Sequence, residues 1–250
     1  MEQNKLVSII LPTHNGSQYI RQSLESCINQ TYRNIELIVV NDASEDNTGE
    51  IICSYDDPRI TYLKNERNMG LANSLNKGFS ESKGDYLTWT SDDNFYAPDA
   101  LTRMLSKLKE SPGVDFVYAN YYRINEKGKN IERVRVKDSL YLLINNCVGP
   151  CFLYTRRVYE KIGDYNPDSV LAEDYEYWIR ALKQFKMHQV DDYLYYHRFH
   201  RDSLTAKHTP ESAAAVAKMT ARKHLTLTLR IRYHLMTHRK KLQALLKSYL

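Results

Sequence analysis

Leu6–Leu11 and Ile35–Val40 are short, almost unbroken apolar runs rich in β-branched residues, and they predict strands buried on both faces. Pro12–Gly16 breaks the first run, and a helix is predicted from about Ser17 to Asn29. Ser44 to Thr48 offers capping side chains to a helix reaching Tyr55, and Ile60–Leu63 reads as a third short strand. Asn68-Met69-Gly70 opens a helix running to about Ser82, and Tyr86–Thr90 forms a fourth strand. Over residues 1–95, β and α therefore alternate strictly, the pattern of a doubly wound parallel sheet.

The alternation then loosens. A helix from Pro98 to about Glu110, apolar at Leu101, Met104, Leu105 and Leu108, leads through Pro112-Gly113 into a strand at Val114–Ala119. Tyr121–Val136 turns at Glu126-Lys127-Gly128-Lys129 and predicts a hairpin. A short helix at Asp138–Asn145, a strand at Gly149–Tyr154 and a helix at Arg156–Ile162 follow. Trp178, Ala181, Leu182 and Phe185 recur at helical spacing behind Glu173-Asp174, ahead of strands at Met187–Val190 and Tyr193–Phe199. Residues 96–210 thus read as an acceptor-side half laid over the sheet's carboxyl edge, completing one domain with residues 1–95. In residues 211–250, Leu227, Ile231, Leu235, Leu242, Leu246 and Tyr249 form an approximate stripe on one or two basic helices.

Chemistry gathers where these elements stop. The run Tyr86–Thr90 ends in two adjacent carboxylates, Asp92 and Asp93, which places them at the carboxyl edge where open α/β sheets bind ligands. Two hard oxygen ligands suit Mg²⁺ or Mn²⁺ holding a diphosphate; the structural alternative is an acidic turn capping the next helix. After the first strand there is no Gly-x-Gly-x-x-Gly, which disfavours a dinucleotide. Asp42, at the end of the second strand, can accept from a ribose hydroxyl or a base N–H, or cap the following helix. Glu173 and Asp174 suit a helix N-terminus through the dipole, or offer a general base at a cleft rim beside Trp178. In His197-Arg198-Phe199-His200, a histidine can complete a metal site with Asp93 or serve structurally.

Composition narrows the class. The apolar fraction is 42% and the charged fraction 26%, ordinary for a soluble globular chain, and no apolar run reaches the ~18–20 residues of a membrane span. The N-terminus runs straight into a strand and reads as no signal peptide, which implies a cytoplasmic protein. Cys27, Cys53, Cys147 and Cys151 lack metal-ligand spacing and read as free thiols. Twenty tyrosines, clustered at 118–122, 175–177 and 193–196, suit either a cleft lining or core edges. From Ser212 onward there are nine Lys/Arg and no acid, so the first 211 residues hold 26 bases against 30 acids, a net of −4. A basic stripe of this kind can lie on an anionic membrane surface or pack on its own domain. Nucleic-acid binding is disfavoured, because the domain itself is acidic.

Taken in order, Val7–Asn15, Ser26–Tyr32, Glu36–Ser44, Asn68-Met69-Gly70, Gly84-Asp85-Tyr86, Asp92-Asp93, Pro98-Asp99, Glu173-Asp174 and Arg198-Phe199-His200 resemble the family 2 glycosyltransferases. Thr90–Asp99 is especially similar to the spore-coat polysaccharide enzyme of that family. The resemblance implies a GT-A fold, a mixed α/β sheet flanked by helices. It implies inverting transfer of a sugar from a nucleoside-diphosphate sugar, a UDP-sugar first, to a saccharide or lipid-linked acceptor. By the same resemblance, Pro12, Thr13, Asn15, Asp42, Arg67 and Asp92 would meet the donor nucleotide, Asp93 and His200 a Mn²⁺ or Mg²⁺ ion, and Asp174 would be the base. His14 stands where the family often has Tyr, and Thr90 where a further Asp is common. A nucleotidyltransferase would need a Gly- and Lys-rich phosphate loop that Pro12–Gly16 does not supply. A non-catalytic sugar-nucleotide scaffold sits poorly with the presence of Asp93 and Asp174.

Overall fold

The computed structural model of the chain describes residues 5–143, 145–201 and 203. The predicted tail helices and their membrane contact lie outside the described residues. In chain order the elements are β1 (Val7–Thr13), α1 (Ile20–Ile28), β2 (Ile35–Asn41), α2 (Thr48–Cys53), β3 (Ile60–Lys64), α3 (Leu71–Glu81) and β4 (Tyr86–Trp89). Then come β5 (Phe95–Tyr96), α4 (Ala100–Lys109), β6 (Val114–Ile124), β7 (Asn130–Val134), β8 (Phe152–Thr155), α5 (Arg156–Ile162), α6 (Glu173–Gln184) and β9 (Lys186–Arg198).

The nine strands of the described residues join one sheet in the order β3-β2-β1-β4-β8-β6-β9-β5, with β7 paired to β6. β1 to β4 are parallel, β8 runs antiparallel to β4 and β6, and β6 runs parallel to β9. The carboxyl ends of β1, β2, β3, β4 and β9 therefore share one edge. Because α6 feeds β9 through a tight connection, its N-terminus lies toward that edge as well.

The continuous apolar runs are continuous because both faces of the sheet are covered. Ile10, Ile38 and Val40 face a cluster with Leu75, Phe79, Val158 and Trp178 of α3, α5 and α6. Their neighbours Ile9, Leu11, Leu37 and Val39 face Leu24, Ile52, Leu101 and Met104 of α1, α2 and α4. The α3 layer lies so close that a Cβ on Gly78 would meet Ile10 Cγ2 at 2.4 Å.

Several expectations shift in detail. The first helix begins at Ile20 rather than near Ser17, because the Gly16 carbonyl accepts the Tyr19 and Ile20 N–H groups in a preceding turn. The two predicted last strands form one, with register shifts opposite Asn120 absorbing Asp191 and Asp192; the Asn120 amide donates to the Asp191 carbonyl at 2.7 Å. The helix predicted at Asp138–Asn145 is a 3₁₀ turn, Ser139–Leu143. Trp178 lines no cleft: it is 0% exposed, its ring centroid 4.4 Å from Phe152. Burial on the sheet outweighed a rim position for so large an apolar group. Most of the tyrosine clusters belong to the core or its edge, with Tyr165 and Tyr177 stacked at 4.0 Å.

Candidate functional site

β1 and β2 end in register, Thr13 opposite Asn41, and the Asp42 N–H donates to the Thr13 carbonyl at 2.8 Å. Above them the loops are laced together. Asn15 N–H donates to Ser44 Oγ and its Oδ1 accepts from Glu45 N–H, both at 2.9 Å, while His14 Nδ1 lies 2.8 Å from the Asp42 carbonyl oxygen. Asn15, Ala43 and Leu171 are the non-glycine residues with positive φ among those described, at 55°, 56° and 67°. Each costs backbone strain, and two of them sit in these facing loops.

Asp42 is 4% exposed, and its carboxylate accepts from Asn65 Nδ2 at 2.7 Å, Met69 N–H at 2.8 Å and Gly70 N–H at 2.9 Å. The capping alternative read from the sequence is corrected: these bonds run to the entry of α3, not to the following helix, α2. Of a carboxylate's roughly four acceptor positions, three are taken. Asp42→Ala is expected to cost about 2–4 kcal/mol by stranding these donors, measurable by urea unfolding; unchanged stability would show the loop holds without it. Beside this carboxylate, Ala43, Ser44, Glu45, Lys64, Asn65 and Glu66 line an open cavity of about 600 Å³, within the size range of ligand pockets. Arg67 is exposed in the segment between β3 and α3. Pro12 is buried near the end of β1.

β4 pairs with β1 up to Ile10 opposite Trp89, so the chain beyond it crosses the end of β1. Thr13 Oγ1 donates to Asp92 Oδ2 at 2.5 Å. Burial, then the adjacent Asp93 carboxylate, push Asp92 up to about 7, so near neutrality it is poised between carboxyl and carboxylate. Gly16 makes this geometry possible: a Cβ there would lie 2.1 Å from Asp92 Oδ2 and 2.6 Å from Thr13 Oγ1. Gly16→Ala is expected to displace Asp92 and lower stability by about 1–3 kcal/mol; an unaltered urea midpoint would refute the crowding. Thr90 shares a hydrogen bond of 2.6 Å with the Tyr195 hydroxyl and is fully buried.

The structure brings Asp93 and His200 together: His200 Nε2 lies 2.9 Å from Asp93 Oδ2. Asp93 Oδ1 is buried and has no hydrogen-bond partner among the described residues, an arrangement that is costly unless a cation or donor meets it. The carboxylate suits Mn²⁺ or Mg²⁺, and the imidazole beside it tilts the pair toward Mn²⁺, the softer of the two. Among the described residues no group of three His, Cys, Asp or Glu is gathered to enclose an ion. Two protein ligands are the number used when substrate phosphates and water complete the shell.

Asp174 sits in the first turn of α6. Its Oδ2 accepts from Asn146 Nδ2 at 2.7 Å and its Oδ1 from the Tyr175 N–H at 2.6 Å. Burial raises its pKa above the ordinary aspartate value, while the Asn146 bond opposes the rise. The segment ahead of it is tied to the other half of the sheet. Asn76 of α3 exchanges two hydrogen bonds of 2.8 Å with the Tyr165 backbone, and Trp89 Nε1 donates to the Tyr165 hydroxyl at 3.0 Å. Sequence reasoning missed Gly16, Asn65 and Asn146. Gly16 was visible as the end of the strand-breaking Pro-Thr-His-Asn-Gly, whereas the asparagines carry no local signal.

Residues 8–163 match the model of glycosyl transferase family 2. An uncharacterized glycosyltransferase of Rickettsia felis is 33% identical over 215 residues, spanning 81% of this chain but 35% of that protein, so the chain covers about a third of its relative's length. Among solved structures, residues 1–349 of S. aureus TarS in complex with UDP-GlcNAc superpose with a TM-score of 0.70 at 20% identity, covering 86% of this chain and 65% of that one. The mannosyltransferase PcManGT from Pyrobaculum calidifontis, in complex with GDP-Man and Mn²⁺, gives 0.64 at 17% identity, covering 94% and 79%. These likenesses establish the fold as GT-A. Among the described residues no helix is long and apolar enough to cross a membrane.

Proposed function

This chain belongs to glycosyl transferase family 2, and from that premise we propose that it is an inverting, metal-assisted transferase moving a sugar from a nucleoside-diphosphate sugar to an acceptor hydroxyl. The observation that carries the reading is the pairing of Asp93 with His200, in which the second carboxylate oxygen of Asp93 is buried and meets no donor among the described residues. In this reading the nucleoside occupies the cavity at the ends of β2 and β3. There Asp42 uses its remaining acceptor position, and Arg67 lies at the entrance. Thr13, Asn15 and Pro12 shape the floor, and Asp92 faces the ribose or diphosphate. A UDP-sugar is the first donor to test, since TarS was solved with UDP-GlcNAc.

Asp93 and His200 would hold Mn²⁺ or Mg²⁺, which when bound neutralises charge developing on the leaving diphosphate. Asp174 takes the proton from the acceptor hydroxyl as its oxygen attacks the anomeric carbon and the bond to the diphosphate breaks. Burial supports this role, because it raises the basicity of a carboxylate that would otherwise be weak. A single base with direct attack by the acceptor inverts the anomeric centre, whereas retention by double displacement needs a second, nucleophilic carboxylate. The acceptor is a saccharide or lipid-linked saccharide, and the basic residues 211–250 would bring the enzyme to a membrane surface.

Calorimetry with UDP, GDP and dTDP, each with and without Mn²⁺, tests the reading. Metal-dependent binding of one diphosphate is expected. If none binds under either condition, the transferase assignment fails.

A further inference from the structure

One buried side chain beside Asp93 has no part in the scheme above. Arg198, at the end of β9, is 3% exposed. Its Nε donates to the Asp93 carbonyl at 2.9 Å. Its Nη1 donates to the carbonyls of Asn125 and Glu126 at 3.1 and 2.9 Å, and its Nη2 to Gln22 Oε1 at 2.6 Å. Its backbone N–H donates to Asn94 Oδ1 at 2.6 Å. Tyr19 stacks on it with the guanidinium carbon 4.4 Å from the ring centroid, and the same ring meets the His200 ring at 5.2 Å.

A buried cation ordinarily pairs with a carboxylate. Here, among the described residues, every hydrogen-bond acceptor of the guanidinium is a neutral oxygen, and those oxygens come from three separate segments: α1, the stretch after β4, and the β6–β7 turn. Asp93 is consequently held at two points. Arg198 fixes its backbone, and His200, two residues further along the same strand end, meets its carboxylate. We infer that Arg198 is the positioning residue for the Asp93–His200 pair, with the β6–β7 turn and Gln22 as its anchors. The inference rests on the proposed role of that pair. A lysine cannot replace it, because one ammonium point cannot span acceptors that the planar fork reaches on three sides.

The test uses the full chain, ¹⁵N-labelled and free of metal and nucleotide, with the His200 side-chain signals identified by their loss in His200→Gln. Asp93→Asn should move those signals. Arg198→Lys should move them likewise, with a cooperative thermal melt retained, while His14 and His188 stay in place. Gln22→Leu removes one anchor, should give a smaller shift in the same direction, and carries the test if Arg198→Lys does not fold. With Mn²⁺ added, the metal-dependent gain in UDP affinity should fall by about 10–100-fold in Arg198→Lys, the loss typical of residues that orient a ligand. Unmoved His200 signals in a folded variant overturn the inference, and so do equal shifts at His14 and His188, which would mean general loosening. If the wild type itself shows no Mn²⁺-dependent binding of UDP, GDP or dTDP, the donor reading fails on that result alone. The metal-free His200 signals still decide the role of Arg198.

Discussion

Asp174→Asn should lower the sugar-transfer rate by about 10²–10⁴-fold while leaving nucleotide affinity unchanged, the expected loss for a general base. The substitution preserves shape: the remaining oxygen accepts from the Tyr175 N–H, and a flip of the Asn146 amide lets its oxygen accept from the new NH2 group, so folding is not the variable. A single-turnover assay with a UDP-sugar and an acceptor, beside a binding titration, separates the two quantities. An undiminished transfer rate would remove Asp174 from the chemistry. The pH profile carries the same logic with a definite sign. A base must be deprotonated to act, so transfer should fall as pH drops through the Asp174 pKa, and burial sets that limb above the ordinary aspartate value of about 4. Asn146 stabilises the charged form by donating to it. Asn146→Ala should therefore raise the pKa further and move the acid limb to higher pH; a limb that stays or moves down would contradict the hydrogen bond's role.

The second large effect is expected at Asp93. Asp93→Ala deletes the carboxylate of the pair and leaves His200 without that partner. If the pair holds a divalent cation, the metal-dependent part of nucleotide binding should vanish, and transfer should fall by about 10²–10³-fold. That range corresponds to a few kcal/mol of charge stabilisation at 1.4 kcal/mol per decade. Calorimetry with UDP, with and without Mn²⁺, reads the first quantity directly. Binding that remains equally metal-dependent would place the ion elsewhere and leave the orphaned Asp93 oxygen without an explanation.

Much of the framework was legible without coordinates. The runs at Leu6–Leu11 and Ile35–Val40 read as strands covered on both faces because they are short, β-branched and continuously apolar, and both faces are indeed packed. A strand stopping in Asp92-Asp93 had to deliver those acids to the carboxyl edge, because parallel strands joined by helices share that edge. The motif order gave the family for the same reason: each motif sits where an element ends, and the distance between ends is fixed by element length.

What the sequence left balanced was settled by contacts between residues far apart in the chain. Asp42 was a candidate cap for the next helix, α2; its oxygens instead bond Asn65, Met69 and Gly70, more than twenty residues on, and no local pattern specifies such partners. Trp178 could flank a cleft or fill the core, and the free energy of burying its ring against Phe152 turned it inward. Gly16 mattered only once Asp92 was folded to within 2.1 Å of its missing Cβ. Arg198 and Asp93 stand 105 positions apart and meet because β9 runs parallel to β6 and ends at the common edge. Periodicity and strand breaks act over a few residues, so the chain alone could determine elements and their edge. Which donor meets which acceptor across that edge is a property of packing, and only the tertiary structure decided it.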